Sequence, residues 1–225
     1  MTMMTARPQQ APSLREHALR IIRNAITNGD LAEDRIYSAA GLAKQLGVSL
    51  SPVREAMMAL VAEGTVEAVP NRGFRLVPVT LEDLEEIIRI RSLLAGPAVE
   101  SLCERARAGH PEVREQLDEL RTIAEAALAA AEAEDRSEYM AADRDFHERL
   151  LAYGLGRRAS AISLRLRDQS RIFVTGAPEI DIDFACQLVD LVGVFEAGDS
   201  ERARELVVEN LHYFKRVEEK LSETS

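Results

Sequence analysis

The sequence is poor in cysteine and in long apolar runs, and each shortage excludes a class of protein. Only Cys103 and Cys186 occur among the 225 residues, and neither belongs to a CxxC pair, so a disulfide framework or a thiolate zinc site has no support. We expect both to be buried apolar residues. The longest apolar stretches, such as residues 57–62, are too short to span a bilayer, and the polar opening of the chain lacks the apolar run of a signal peptide. We therefore predict a cytoplasmic protein with no membrane partner.

The chain also lacks an overall positive charge, since its net charge is −10. That charge is unevenly distributed. Residues 1–80 carry nine basic and seven acidic side chains, whereas residues 81–225 carry 19 and 31. The asymmetry indicates two units with different partners. Because phosphate contacts depend on local cationic patches, the acidity of the second unit does not exclude nucleic-acid binding by the first.

Residues 13–78 have the pattern of three helices followed by a β-hairpin. Apolar residues recur at helical spacing in segments that begin near Ser13, Ser38 and Ser51. Two β-branched runs follow, and Pro70–Gly73 joins them with a strong hairpin signal. This element order predicts a winged helix-turn-helix domain.

Residues 80–222 have the pattern of an all-helical unit. Thr80 and an acidic first turn begin a long helix that extends to about Ala106. Short loops with Gly, Pro or Asp separate the later helices, as in a compact bundle. We predict these helices at residues 111–134, 137–153, 157–175, 181–197 and 200–221. The predicted fold class is therefore mainly α, with an N-terminal winged helix-turn-helix and a C-terminal all-α bundle, and residues 1–12 are predicted to be a disordered N-terminus.

The N-terminal unit carries polar side chains that suit DNA. A short Gly-containing turn sets two helices at a steep angle, which lets the third helix lie in a major groove. Hydroxyls at a helix N-terminus suit phosphate oxygens, and arginine can bind a guanine edge or a phosphate. A glycine at a basic hairpin tip allows close approach to the DNA backbone or the minor groove. The candidate DNA contacts are Lys44, Ser49, Ser51, Arg54, Asn71, Arg72 and Gly73.

The stretch GLAKQLGVSLSPVREAMMALVAEGTVEAVPNRGFRL, residues 41–76, resembles the winged helix-turn-helix of the GntR family of bacterial transcription regulators. The family pattern runs ELAxxLGVSxxPVREALxxLxxEGxVxxxxxRGFxV. In that family the serines, the arginine of PVRE and the wing tip touch operator DNA, which implies this role for Ser49, Ser51, Arg54, Arg72 and Gly73. Leu50 stands where the family often has arginine, and Ser38–Gly41 replaces a Glu/Arg-rich start of the second helix. Both departures imply fewer polar base contacts.

The helical unit resembles the FCD type, the ligand-sensing domain of the FadR subfamily. Its most diagnostic stretch runs from Asp143 to His147 and matches the subfamily's D-x-x-F-H. Residues four apart differ by about 40° around a helix, so this pair can hold one ion. A carboxylate plus an imidazole suits zinc, nickel, manganese or a similar divalent cation. The resemblance adds His212 as a C-terminal ligand.

One expected metal ligand is missing. The subfamily's further histidine falls on Leu188, which cannot bind a metal, and Gln187 or Asp190 could help only with a shifted register. The expected ligand set is Asp143, His147 and His212, with an effector carboxylate and water completing the shell. The alternative is a hydrogen-bonded cluster in a metal-free effector pocket.

Arg91 matches an arginine common on the subfamily's first sensor helix and is the predicted partner of an anionic effector. We expect the other arginines of this unit that were considered as effector partners to be mostly surface charges. The candidate effector-binding residues are therefore Arg91, Asp143, His147 and His212, and the residues expected at the surface are Arg89, Arg165, Arg167 and Arg171.

These observations predict a homodimeric, ligand-responsive transcription factor, a repressor released by a small organic acid or sugar acid. One short helix and wing bury too little DNA for useful specificity, so two copies are expected to read a palindromic operator. One alternative is a metal-dependent enzyme that uses Asp143 and His147 with a bound water. It lacks a convincing acid–base partner and leaves the N-terminal third unexplained, so we predict that the chain is not an enzyme. The other alternative is a DNA binder that responds to no ligand.

Overall fold

The computed structural model of the chain describes residues 13–27, 29–173, 180 and 182–213. Within them lie nine helices and one two-stranded sheet. The chain forms two compact units that divide between Val77 and Pro78, with residues 26–31 grouped with the second unit. The mainly α fold class is as predicted. The segment predicted to be disordered, 1–12, and the predicted helix ends at 175 and 221 lie outside the described residues.

The N-terminal unit has the predicted element order of three helices and a hairpin. Its elements are α1 (Leu14–Thr27), α2 (Ala39–Leu46), α3 (Leu50–Ala62), β1 (Val66–Val69) and β2 (Gly73–Leu76). The two strands are antiparallel, and Val66 lies opposite Leu76. Both of these side chains are buried, so one face of the hairpin contributes to the core of the unit.

Caps account for where the first two helices begin and end. Ser13 Oγ accepts from the Glu16 amide, and the Ser13 amide donates to the Glu16 carboxylate, which makes a capping box. Ser38 Oγ accepts from the amide of Gly41 at 3.0 Å, and Gly47 ends α2 in the left-handed conformation with φ 65°. Leu14, the first residue of α1, is 73% exposed, because the buried stripe of the helix starts one turn later, at Ala18.

A third extended segment lies beside the wing, and no sequence pattern predicts it. Tyr37 and Phe74 exchange both backbone hydrogen bonds, at 2.7 and 2.9 Å, in an antiparallel bridge. The Tyr37 hydroxyl in turn accepts from the amide of Ala32 at 2.7 Å. The loop between α1 and α2 is therefore tied to the second strand of the hairpin.

The C-terminal unit is a helical bundle built around its longest helix. Its elements are α4 (Leu81–Arg107), α5 (Pro111–Glu132), α6 (Arg136–Gly154), α7 (Arg157–Phe173), α8 (Ile182–Ala197) and α9 (Ser200–Leu211). Helix α4 packs against α6, α7, α8 and α9, while α5 packs mainly against α6 and α8. The predicted cap of α4 is confirmed, since Thr80 and Asp83 form a complete capping box.

Two features of the bundle bear on its packing. A Cβ placed on Gly154 would lie 2.4 Å from the carbonyl oxygen of Ala98, so glycine is what lets α6 approach α4 here. Cys103 is fully buried as expected, but Cys186 is only half-buried, so the expectation of two buried thiols was wrong for one of them. No described helix has the length and apolar character that a bilayer span requires.

Candidate functional site

The start of α3 presents the predicted polar side chains to solvent. Ser49, Ser51 and Arg54 are all exposed, while Val53 and Met57 on the opposite face are buried. Ser49 is the N-cap of α3 by position, but its side chain makes no capping hydrogen bond. The Ser51 hydroxyl donates to Glu55 at 3.2 Å. This end of the helix thus offers hydroxyls, backbone amides and one guanidinium to an approaching phosphate or base edge.

Two further groups of candidate DNA contacts are also accessible. Lys44 is exposed in the last turn of α2. Asn71 and Arg72 are exposed at the turn of the hairpin, where Asn71 adopts the left-handed region with φ 59°. Asparagine tolerates that conformation better than most residues. The turn therefore holds Arg72 outward at its tip.

Position 73 needs glycine for a structural reason that the sequence did not indicate. We expected this glycine to permit close approach to DNA. In the structure its φ is 135°, and a Cβ built on it would lie 2.3 Å from the carbonyl oxygen of Tyr37. The glycine is therefore required by the bridge between Tyr37 and Phe74, within the protein itself.

Asp143 and His147 do lie side by side inside the bundle. They occupy one face of α6, and both are buried, with 3.5 Å between His147 Nε2 and Asp143 Oδ1. Burial is the main cause of a lowered pKa for His147, although the Asp143 carboxylate acts in the opposite direction. The imidazole is therefore neutral at pH 7.

Two arginines of α7 hold the other carboxylate oxygen, although both were expected at the surface. Arg167 donates to Asp143 Oδ2 from Nε at 3.1 Å and also from Nη2, and Arg171 Nη2 donates to the same oxygen at 2.9 Å. Arg167 and Arg171 are 2% and 8% exposed. Burial alone would raise the pKa of the Asp143 carboxyl, but these two guanidinium groups hold that pKa well below its usual range. Asp143 is thus an ionised anchor for both arginines.

Aromatic and hydroxyl groups fix Arg171 further. Its guanidinium lies 4.1 Å from the centre of the Tyr213 ring, within the range of a cation–π contact. The Tyr213 hydroxyl donates to Ser170 Oγ at 3.1 Å, and Ser170 donates to the carbonyl oxygen of Arg167 at 2.8 Å. Sequence reasoning missed these residues, and the one available signal was the spacing of four between Arg167 and Arg171.

Arg91 lies on α4 and is 2% exposed. Among the described residues its Nε has no hydrogen-bond partner. Burial lowers the pKa of Arg91 to about 10, helped by the charges of Arg167 and Arg171 and opposed by Asp143 and Tyr213. The group therefore stays charged at pH 7. Arg91, Asp143, His147, Arg167 and Arg171 are coupled electrostatically, and we refer to these five residues as the arginine cluster.

The predicted third metal ligand is not brought to this cluster. His212 Nδ1 donates to the carbonyl oxygen of Val208 at 2.7 Å, and the side chain lines a cavity of about 530 Å³ between α4 and α9. The described part of the chain holds no group of three or more His, Cys, Asp or Glu side chains that could bind a metal. The predicted set of Asp143, His147 and His212 therefore does not assemble.

The remaining positions considered for the metal do not supply a ligand either. Leu188 is fully buried in the core of the bundle, and Asp190 is exposed. The Gln187 amide accepts from Asn210 and donates to Glu209, both at 3.1 Å. With both α7 arginines on Asp143, the residues present do not fit a divalent metal.

Comparisons with known proteins agree with this architecture. The family model described as bacterial regulatory proteins, gntR family, matches residues 14–76, and the FCD domain model matches residues 86–213. One similar relative is an uncharacterized HTH-type transcriptional regulator in the TAR-I ttuE-ttuC' intergenic region of Agrobacterium vitis, 36% identical over 60% of this chain and 77% of the relative. Another is a probable D-xylose utilization operon transcriptional repressor of Paenarthrobacter nicotinovorans, 31% identical over 72% of this chain and 70% of the relative.

Solved structures show the same fold. That of E. coli McbR/YncC covers 94% of this chain and 100% of its own, with TM-score 0.77 and 22% identity. That of a putative GntR regulator from Rhodococcus sp. RHA1 covers 94% and 99%, with TM-score 0.66 and 21% identity. The exposed helix start and wing, the helical bundle and both family models lead to one conclusion. The chain belongs to the GntR family, FadR subfamily, with a C-terminal FCD domain, and it is a DNA-binding transcriptional regulator and not an enzyme.

Proposed function

We propose that the protein is a repressor that leaves its operator when a small organic acid or sugar acid binds in the C-terminal bundle. The DNA half of the proposal is supported by the exposed polar start of α3, where Ser49, Ser51 and Arg54 stand together. Lys44, Asn71 and Arg72 extend that surface on α2 and the wing. The relative named as a probable repressor supports the direction of regulation.

The regulator acts as a homodimer on a palindromic operator. A single α3 helix and wing cover only a short stretch of duplex, which gives limited specificity. Two copies related by a twofold axis read two half-sites at a spacing that their separation sets. An effector that prefers one spacing of the two DNA-binding units then changes operator affinity.

The observation that carries the effector half is Arg91. A buried, charged guanidinium without a counter-ion is costly, so such groups are normally paired or hydrogen-bonded. Arg91 is 2% exposed and its Nε has no partner among the described residues. An anionic ligand supplies the missing partner, and carboxylates bind guanidinium groups through two parallel hydrogen bonds.

The test starts from a duplex selected out of a random library by the purified protein. Its affinity is then measured in the presence of small mono-, di- and hydroxycarboxylic acids. The proposal expects at least one acid to weaken binding to the selected duplex. An affinity that no acid changes would instead support the ligand-independent DNA binder, and consumption of an acid by the protein would contradict a sensor role.

A further inference from the structure

We infer that the bundle holds the carboxylate of its effector through guanidinium groups and without a divalent metal, with Arg91 as the group that receives the ligand. The inference rests on the proposed function, because it assumes that the ligand of the bundle is an anion. It goes further by assigning the chemistry of the site.

The distribution of charge in the arginine cluster supports an anion and opposes a cation. Helix α4 supplies Arg91, and α7 supplies Arg167 and Arg171, whereas the acid that both α7 arginines contact is Asp143 on α6. Within the described part of the chain, Asp168 also lies 3.6 Å from Arg167, but it is 3.3 Å from Arg144, so its charge is shared. A divalent cation placed at Asp143 would face the guanidinium groups of Arg167 and Arg171 on the same carboxylate, and the charge of Arg91 also acts on this cluster, where repulsion is poorly screened.

One oxygen of the Asp143 carboxylate already accepts hydrogen bonds from both α7 arginines. Its Oδ2 accepts from both Arg167 and Arg171, and its Oδ1 faces His147 Nε2 at 3.5 Å. A metal ion on Oδ1 would share the carboxylate with both arginines, and the position of the subfamily's further ligand is held by the buried, apolar Leu188. Asp143 is therefore a positioning residue, because it holds the guanidinium groups of Arg167 and Arg171 in place before any ligand binds.

This arrangement leaves Arg91 with its charge and donors available. Arg167 and Arg171 are committed to Asp143, and Arg171 is also stacked on Tyr213. Arg91 has no comparable bond to an acidic side chain in the described residues, and its Nε is unpaired. Because the guanidinium groups of Arg167 and Arg171 are already ordered, the binding of an anion beside them has a small entropic cost. The guanidinium of Arg91 suits a small carboxylate. Phosphate is the other anion that a guanidinium binds through two parallel hydrogen bonds.

Thermal unfolding of the full-length protein in EDTA tests the site without knowledge of the natural effector. The probes are acetate, succinate and inorganic phosphate, and the variants are Arg91→Met and, as a matched control, Arg89→Met, which alters an exposed arginine of the same helix. We expect a carboxylate to raise the Tm of the wild type by about 3–5 °C at roughly ten times its Kd. A larger rise with phosphate than with either carboxylate would assign the site to phosphate esters and overturn the carboxylate assignment.

The two variants give opposite expectations. Arg91→Met should lose the anion-dependent rise while its ligand-free Tm stays equal to that of the wild type or exceeds it, because an uncompensated buried charge has been removed. Arg89→Met should keep the wild-type rise. The inference is overturned if no probe gives a rise that depends on Arg91.

A second arm separates guanidinium binding from metal binding. If the guanidinium groups hold the anion without a metal, His147→Gln keeps the anion-dependent rise in Tm, because the imidazole is then not needed as a metal ligand. A rise that appears only when zinc replaces EDTA in the buffer and that disappears in His147→Gln would overturn the metal-free site while leaving the anion-responsive regulator intact. Conversely, an anion that binds through Arg91 but leaves operator affinity unchanged would refute the proposed function and not this inference.

Discussion

The Arg171 guanidinium lies 4.1 Å from the centre of the Tyr213 ring, and this contact connects the end of the described chain to the arginine cluster. The Tyr213 hydroxyl also donates to Ser170. Two substitutions separate these contributions. Tyr213→Leu removes both the ring over Arg171 and the hydroxyl, and it should lower the free energy of unfolding by about 2–3 kcal/mol, because the cation–π contact is desolvated and a hydrogen bond is lost with it.

Tyr213→Phe keeps the ring and loses only the hydroxyl, so it should cost about 1 kcal/mol or less. Urea unfolding of both variants measures the difference. Equal losses for Phe and Leu would show that the hydroxyl, and not the ring over Arg171, is the stabilising feature.

Gly73 provides a second prediction, about the wing. In Gly73→Ala, the alanine would have to adopt a φ of 135°, and its Cβ would lie only 2.3 Å from the Tyr37 carbonyl oxygen. We expect a loss of at least about 2 kcal/mol in unfolding free energy, together with weaker operator binding, because the bridge between Tyr37 and Phe74 has to open. Denaturant unfolding and DNA titration on the same sample measure both effects.

Gly47→Ala is the matched control for this prediction. Gly47 also has positive φ, 65°, but a Cβ there would meet nothing within 4 Å. It should therefore cost only the left-handed strain of about 1 kcal/mol. If Gly73→Ala lowers the unfolding free energy no more than Gly47→Ala does, the backbone near Tyr37 can move away from the new Cβ without a measurable energetic cost.

Arg54 gives a prediction about DNA. It is exposed in the first turns of α3, so Arg54→Ala should weaken binding to a selected operator by about 1–3 kcal/mol, and a phosphate contact would also lower the salt slope by about 1. Arg114→Ala makes the same change of charge on an exposed residue of α5 and should leave both quantities unchanged. Equal salt titrations for wild type and Arg54→Ala would remove Arg54 from the DNA-binding surface.

The two thiols should differ in reactivity. Burial raises the pKa of Cys103 to about 11, and only the thiolate is nucleophilic. At pH 8 in the native protein we expect iodoacetamide to modify Cys186, which is half-buried, and to spare Cys103. Raising the pH toward 11 should increase labelling of Cys103. The free energy of unfolding should also fall from about pH 9 upward, because the Cys103 thiol loses its proton at a lower pH in the unfolded chain than in the folded protein. Mass spectrometry of tryptic peptides assigns the modified site, and rapid labelling of Cys103 at pH 8 would contradict its burial.

Local signals made the elements of the N-terminal unit predictable. Capping side chains at Ser13 and Ser38, a left-handed glycine at Gly47 and a turn sequence between two β-branched runs act over a few residues, so the sequence displays them directly. The bridge of Tyr37 to Phe74 could not be found in this way, because it joins a loop without alternation to a strand far along the chain.

The arginine cluster was harder to predict because its members come from three helices. Arginines are rarely buried unless paired, so Arg167 and Arg171 were expected at the surface, and only the tertiary packing of α6 against α7 reveals their partner, Asp143. The predicted metal ligands also depend on packing, and the described residues do not bring three of them together. A pair four residues apart on one helix is visible in sequence, but the direction of His212 depends on how α9 ends against α4.

The most direct measurement is a crystal structure of the protein purified and grown without chelators, with succinate and zinc present, and with anomalous data collected at the zinc edge. Our account predicts a carboxylate within hydrogen-bonding distance of the Arg91 guanidinium, Arg167 and Arg171 still on Asp143, and no anomalous peak in the bundle. An anomalous peak between Asp143 and His147, or Arg91 paired with a carboxylate of the protein itself, would contradict it.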